Sequence, residues 1–438
     1  MQMDRRNAEK ERMSNINRRD FLYSASKTVG RQKTMLITRR RLLQTAGAGA
    51  FAATGISARA FAEAEVDLPL PGGPGARPLT SAFPQKGAMI LQRTVPPLLE
   101  TPFDVFDKGV FTPNELFFVR WHWANIPTDI NVDTYRIEVH GAVNKQLSLS
   151  LNDLQKMQQI EYAAVNQCSG NSRGFFQPRV PGGEWGNGAM GNALWTGVRL
   201  RDVLDRAGVK SDAVQVRFNG MDEPMVADGP DFMKSLDIKH ASDGEVMIAY
   251  GMNGKPLPML NGFPLRLVVP GWYATYWVKA LNDIEVLNQP DTNFWTKTAY
   301  TIPDTPHANI KLGETGVKLI PINKMVPRSF ITNVKAGEKL HAGKPTPLRG
   351  IAFGGDSGVK KVEISDDGGK SWHAAHLGKD EGKYSFRQWT ANVILPKGDS
   401  ILMVRCTNTE GDVQPDMANW NPAGFMRNLI EQTPITAA

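Results

Sequence analysis

From about residue 100 onward, apolar and polar positions alternate in short runs separated by turn residues, which predicts many strands and few helices. Tyr135-Arg136-Ile137-Glu138-Val139-His140-Gly141 alternates along its length and predicts a half-buried strand. Val246-Met247-Ile248-Ala249-Tyr250 is apolar throughout and predicts a buried strand, which assigns Tyr250 to structure. The run from Phe263 to Gly271 predicts a further apolar strand ending in a turn. Helices are predicted at two places. Ser150 caps one that opens at Leu151, and Val198 to Ala207 sets Leu200, Val203 and Leu204 on one face ahead of a stop at Gly208. Residues 63–85, rich in Pro and Gly, read as an extended arm.

A second region begins near residue 310. Leu348 to Ala352, Val359 to Ser365, Tyr384 to Trp389 and Ile401 to Asn408 read as strands at sandwich-like spacing, with no strong helix between 330 and 410. A chain of 438 residues is too long for one ordinary core, so two domains behind a leader are expected.

The net charge of +7 invites a nucleic-acid reading, but its distribution removes it. The first 62 residues carry 13 Lys+Arg against 4 Asp+Glu, and the remainder carries 38 against 40. The mature chain therefore has no electrostatic reason to hold a polyanion, and no nucleic-acid partner is expected. The basic excess belongs to residues 1–62, which read as a leader. Thr38-Arg39-Arg40-Arg41-Leu42-Leu43 resembles a twin-arginine export signal, with an apolar run from Ala46 to Ala60 and an Ala60-Phe61-Ala62 cleavage site behind it. Met35 lies just ahead of this signal and is a candidate true start. The apolar run is too short and too rich in Ala and Gly for a permanent membrane anchor. The expected location is the periplasm, reached through the twin-arginine export machinery. That route carries folded proteins, usually because a cofactor is inserted first.

The chain has two cysteines, Cys168 and Cys406. In an exported protein a disulfide between them is the plain expectation, but they fall in different predicted domains. Cys406 sits inside a predicted strand and reads as a small buried residue. Cys168 sits in Asn166-Gln167-Cys168-Ser169-Gly170-Asn171-Ser172-Arg173, a loop of small and polar residues with an arginine behind it. Such a loop can leave the sulfur accessible and favour the thiolate, the form that bonds a soft metal. No CxxC, CxxCH or HExxH occurs, which argues against c-type haem, a cysteine zinc site and a zincin protease.

Cys168-Ser169-Gly170-Asn171-Ser172-Arg173 resembles the molybdenum-cysteine loop of the sulfite oxidase family. Four further stretches agree with that family in the same order. They are Phe117-Phe118-Val119-Arg120-Trp121-His122, then Trp185 through Trp195, then Met252 through Arg266, and Val278-Lys279. Within the family the chain looks most like bacterial periplasmic sulfite dehydrogenases, notably at Trp277-Val278-Lys279 and Phe294 through Tyr300. The resemblance implies an α+β fold. A sulfite-oxidase-type molybdopterin-binding domain would cover 96–305, after an arm over 63–95. An immunoglobulin-like β-sandwich dimerisation domain would cover 306–438, with a homodimer as the expected assembly.

It also implies residue roles. Cys168 would ligate molybdenum, and Arg120, Arg173, Trp185 and Tyr300 would form the catalytic pocket for sulfite. Arginine forks suit a small oxyanion, and the tyrosine suits proton handling. Phe118, Val119, His122, Ser169, Asp222, Asn261, Arg266, Trp277, Val278 and Lys279 would contact the molybdenum–molybdopterin cofactor. The implied reaction is oxidation of sulfite to sulfate, with electrons leaving to a c-type cytochrome. This chain departs from animal and plant members in having Asn261 where they have His and Tyr276 where they have Arg, both near the expected pterin phosphate. The family's third substrate arginine, from the sandwich, has no secure match, and Arg387 is the candidate. A sulfane dehydrogenase subunit, or another oxidoreductase of this fold, is the alternative. A more distant one, a glycan-binding β protein, comes from Ser365-Asp366-Asp367-Gly368-Gly369-Lys370-Ser371-Trp372, which fits an Asp-box; as it occurs once, a hairpin turn is the better reading.

Overall fold

The computed structural model describes residues 64–438; the leader, its twin-arginine signal and its cleavage site lie outside the described residues. The segment expected as an extended arm is instead hydrogen-bonded sheet. Glu65–Asp67, Ala76–Thr80, Met89–Arg93, Leu98–Glu100 and Val119–Arg120 pair in that order. Pro69, Pro71 and Pro74 occupy the connection between the first two strands, and Pro78 sits within Ala76–Thr80 opposite Glu65. Leu68 and Leu70 supply the burial that periodicity in a Pro-Gly segment could not reveal, packing with Ile90 against Phe175.

Two further sheets build the part of the molecule that carries Cys168. One runs Met233–Asp237, Gln215–Gly220, Leu281–Leu287, Ile137–Gly141, Leu147–Leu149. Ile137 and Val139 point inward and Glu138 outward, as the alternation predicts. The other runs Lys255–Pro256, Met247–Met252, Met190–Arg199, Gln159–Gln167, with Arg266–Val268 pairing Met247–Met252. Every residue of Met247–Met252 is buried, and Tyr250 spends its hydroxyl on Gln159 Oε1 at 3.1 Å. The helix Leu151–Gln155 opens on Ser150 and Asp153 in a reciprocal capping box. The helix expected from Val198 begins at Leu200, because Met190–Arg199 continues as strand to its doorstep, and it ends on Gly208 at φ +69°.

Residues beyond 325 form two facing sheets. One runs Arg328–Ile331, Pro345–Phe353, Arg387–Ile394, His376–Leu377. The other runs Lys339–Leu340, Gln432–Ala437, Gly398–Asn408, Val359–Ser365, His373–Ala374. Leu348, Val362, Trp389, Leu402, Val404 and Cys406 interlock between them as the sandwich core. The strand placed at Tyr384–Trp389 starts three residues later. Tyr384 is drawn away to bond Glu245 Oε2 with its hydroxyl, and its carbonyl accepts from Val165 N in the other part of the molecule. The Asp-box is a turn, with Asp367 accepting from Lys370 N, Ser371 N and Ser371 Oγ. Among the described residues no helix is long and apolar enough to cross a membrane.

Candidate active site

Cys168 stands at the end of the buried strand Gln159–Gln167, and two loops lock it there. Cys168 N donates to Ala189 O at 2.9 Å, Asn171 N to Cys168 O at 2.9 Å, Ser172 N to Gly186 O at 2.7 Å, and Gly174 N to Trp185 O at 3.0 Å. Asn171 Oδ1 accepts from Ala189 N at 2.9 Å, so the asparagine and glycines of both motifs serve one seam. Glu100, fully buried, fastens the second loop by accepting from Gly186 N and Gly188 N at 3.1 and 2.8 Å and from Gln92 Nε2 at 2.8 Å. Burial pushes its carboxyl pKa up against the pull of those bonds. Gly188 is required there, since a Cβ would stand 2.0 Å from Thr101 O. Both cysteines are free thiols, so the expected disulfide alternative is absent.

Ser172 takes a left-handed conformation at φ +68°, unusual for a residue with a side chain. Its hydroxyl donates to Asn187 Oδ1 at 2.5 Å and accepts from Arg328 Nη1 at 2.9 Å. Arg328 is wholly buried and comes from the sandwich, 156 residues away in the chain, where Glu431 holds its other nitrogen at 3.0 Å. Nothing in the local pattern around Arg328 marks it as part of this site. Arg328→Met strands Ser172 and loosens the Cys168 loop, an expected loss of about 1–3 kcal/mol by urea denaturation. Arg349→Met, which breaks a half-exposed pair with Asp107, is expected to lose less than about 1 kcal/mol under the same conditions.

Two cavities meet at Cys168. The larger, about 700 Å³, is lined among others by Arg93, Arg120, Arg173, Trp185, Tyr300 and Phe425. The smaller is lined by Phe118, His122, Asn166, Asn261, Arg266 and Lys279 together with Arg120, Cys168, Ser169 and Tyr300, which border both. The metal candidate and all four catalytic candidates are thus gathered around one space. Of the cofactor candidates, Phe118, His122, Ser169, Asn261, Arg266 and Lys279 line the smaller cavity, and four side chains do not. Val119 lies on the opposite pleat from Phe118 and Arg120, packed with Met89, Leu99 and Trp121. Trp277 stands behind the wall, its ring edge-on to Trp195 at 5.5 Å and its carbonyl accepting from Arg266 Nη2 at 3.3 Å. Val278 is core, and Asp222 faces Lys279 without lining the cavity. Arg387 does not reach the site. It pairs with Asp380 at 2.9 Å and donates to Gly378 O at 3.1 Å, since its strand edge turns it toward the neighbouring hairpin. The sandwich contributes Ala423 and Phe425 to the larger cavity instead.

The charge balance of the site is one-sided. Arg120, Arg173, Arg266 and Lys279 border the cavities, and none takes part in an ion pair among the described residues. Arg173 donates to Ala423 O and Gly183 O at 3.3 and 3.4 Å and lies 5.2 Å from the Phe425 ring centre. Burial pulls the pKa of Lys279 down and pushes that of Asp222 up. His122 Nε2 lies 2.6 Å from Tyr300 Oη. Burial, then the charges of Arg120 and Lys279, hold the imidazole pKa well below its usual range, while burial raises that of the phenol. Both groups are therefore neutral at pH 7. Arg120 Nη1, His122 Nδ1, Asn166 Nδ2, Ser169 Oγ and Arg266 Nε are buried without a partner among the described residues, and all five residues line the smaller cavity. Buried polar atoms are satisfied in folded proteins, so this set fits a bound group rich in acceptors and carrying negative charge. A pterin phosphate beside a thiolate-bound metal meets that description.

Comparison with known proteins agrees. Residues 123–295 match the family described as oxidoreductase molybdopterin binding domain, and residues 320–437 match the Mo-co oxidoreductase dimerisation domain. The chain is 33% identical to mitochondrial sulfite oxidase of Homo sapiens over 355 residues, 77% of this chain and 63% of the human one. It is 29% identical to sulfite oxidase of Arabidopsis thaliana over 385 residues, 82% of this chain and 96% of the plant one. The chain thus spans less than two thirds of the length of the animal relatives it matches. The crystal structure of the sulfane dehydrogenase SoxCD from Paracoccus pantotrophus superposes with a TM-score of 0.66, covering 81% of this chain and 87% of that one at 22% identity, a likeness of fold. With a free cysteine set in an unpaired cationic cavity, two matching domain families and these relatives, the chain belongs to the sulfite oxidase family of molybdenum-cofactor oxidoreductases.

Proposed function

We propose that the chain is a periplasmic sulfite dehydrogenase that oxidises sulfite to sulfate and passes the electrons to a c-type cytochrome. The observation that carries this reading is a free cysteine bordered by two arginines that pair with no carboxylate among the described residues. Cys168 would hold molybdenum, and Phe118, His122, Ser169, Asn261, Arg266 and Lys279 would hold the pterin. When bound, that group supplies the two-electron redox chemistry that side chains lack. Arg120 and Arg173 bind the oxyanion and orient it, in a buried setting where their charge is little screened. Trp185, 1% exposed, walls the site from water. The reaction consumes one water and releases two protons and two electrons per sulfite. The neutral Tyr300, hydrogen-bonded to His122 Nε2, orients that water and relays its protons onward without the pair holding a net charge. Export by the twin-arginine route and a homodimer through the sandwich complete the proposal.

A second reading, a sulfane dehydrogenase acting on carrier-bound sulfur, is favoured by one observation. The larger cavity, about 700 Å³ and bordered by Cys168, takes the metal end of the cofactor and still leaves room beyond the four heavy atoms of sulfite. One experiment separates the two. Native holoenzyme is mixed with free sulfite or with a sulfane-bearing carrier peptide, and the molybdenum EPR signal and cytochrome reduction are followed. A signal with sulfite supports the first reading. A signal with the carrier alone replaces it with the second.

A further inference from the structure

The larger cavity carries at its rim a cation outside the catalytic set. Arg93 ends the strand Met89–Arg93, and a β-bulge aims it. Ile90 pairs with Glu100 and Leu91 with Leu99, but the residue that pairs with Leu98 is Arg93, which leaves Gln92 as the extra one. Gln92 is spent on Glu100, to which it donates at 2.8 Å, and on Arg77 Nε, from which it accepts at 3.3 Å. In a regular ladder Gln92 would oppose Leu98, and Arg93 would fall on the other face of the sheet. Leu98 pairs on its far side with Arg120. Arg93, Leu98 and Arg120 therefore stand in one row across three strands, and all three line the larger cavity together with Cys168. Within that lining Arg93 is exposed, Arg120 half-buried and Cys168 buried.

Two guanidinium groups flanking one leucine repel each other, and like charges set close across a sheet destabilise it. The fold supplies no carboxylate to relieve them. Neither arginine takes part in an ion pair among the described residues, and the bond that Arg93 donates, to Pro96 O, is long at 3.4 Å. Glu184, the one carboxylate in the lining among the described residues, is already held by Arg77 at 2.9 Å and by Arg179. The Arg120 charge is felt at Arg93, whose pKa is lowered first by burial and then by that charge, and the charges of both are felt at His122. A guanidinium keeps its proton regardless. A cleft with positive charge at its rim, and more beside the metal cysteine, draws small anions inward. We propose that Arg93 forms an outer subsite for a small sulfur oxyanion: it takes sulfite from solvent, hands it on to Arg120 and Arg173, and is the last contact of departing sulfate. Arg93 acts in capture and release and takes no part in the oxidation itself.

The inference rests on the sulfite reading of the same site, and its test separates the two. Oxidised holoenzyme is mixed rapidly with sulfite, and reduction of the molybdenum centre is followed by absorbance, with no acceptor present. Arg93→Gln should lower the second-order rate constant at low sulfite by about tenfold, the lower end of what steering charge in a cleft contributes, and leave the limiting rate at saturating sulfite within about twofold. The loss should shrink as ionic strength rises from about 0.01 M to about 1 M, where the screening length falls from about 30 Å to about 3 Å. Arg93→Lys keeps the charge and should recover most of the loss. Arg136→Gln removes an exposed arginine that lines neither cavity and should change the rate constant by less than about twofold. Calorimetric titration of sulfate alone into the same holoproteins reads the subsite without turnover, and Arg93→Gln should bind it several-fold more weakly than Arg136→Gln does. An unchanged second-order rate constant or an unchanged sulfate affinity in Arg93→Gln overturns the proposal. So does a loss confined to the limiting rate, one that persists at high salt, or one that Arg93→Lys shares in full. If the parent enzyme is not reduced by sulfite, the sulfite reading fails, and the sulfate affinities still decide the subsite.

Discussion

Cys168→Ser is expected to lose sulfite-dependent electron transfer by more than about a hundredfold while the protein still folds. A serine hydroxyl is hard and stays protonated where a thiolate bonds a soft metal, and losing even an outer-shell partner of a metal costs about 10–100-fold. The fold should survive because the bonds that seat this residue are made by its backbone, Cys168 N to Ala189 O and Asn171 N to Cys168 O. Cys406→Ser is the matched control. That thiol lies in the sandwich core, burial pushes it up to about 12, and its weak contact is to Phe353 O at 3.7 Å. Its replacement should lower the unfolding temperature and leave activity intact. Circular dichroism and cytochrome reduction on both variants check the pair. Retained sulfite-dependent cytochrome reduction in Cys168→Ser would refute the metal assignment.

Arg120→Gln is expected to lower kcat/KM for sulfite by about two to three orders of magnitude. A hydrogen bond to a charged group is worth about 1.5–3 kcal/mol, and a guanidinium fork makes two of them to an oxyanion. Arg120 is a direct candidate because it borders both cavities and its Nη1 is buried with no partner among the described residues. Arg387→Gln is the contrast. Its guanidinium is spent on Asp380 and Gly378, so steady-state kinetics should change by less than about twofold. A loss in Arg387→Gln comparable to that in Arg120→Gln would mean that the sandwich reaches the substrate after all.

The outer wall of the larger cavity bears on specificity. Ala423 and Phe425 are the sandwich's contribution to this wall, and Phe425 stacks on Tyr300 at 5.3 Å with the rings nearly parallel. Gly424 between them takes φ +61°, and a Cβ there would come within 2.4 Å of Val180. This segment therefore turns tightly against the Arg173 loop and leaves the cationic side of the cavity to Arg93, Arg120 and Arg173. The larger cavity is thus cationic where Arg120 and Arg173 border Cys168 and apolar at Ala423 and Phe425, with the Arg77–Glu184 pair also in its lining.

Local chemistry written into the chain settled a good deal about this protein. Alternation at a period of two placed Ile137, Val139 and Glu138 on their proper sides, Ser150 and Gly208 marked helix ends, and the Cys168-to-Arg173 loop carried the resemblance to a molybdenum-cofactor family. These signals are read from neighbours within a few residues, where backbone geometry and hydrogen bonding are decided. The Pro-Gly segment near residue 70 did not show its strands, because their burial comes from Leu68, Leu70 and Ile90 meeting Phe175 across the fold. Arg328, Lys86 and Lys234 carry no pattern in their own surroundings, and Arg387 had no secure match to the family's sandwich arginine. Only the tertiary structure brings Arg328 to Ser172 and Lys86 to Asn261, and turns Arg387 away to Asp380. A buried charge has its meaning from what it is buried against, and that is fixed by packing between segments far apart in the chain.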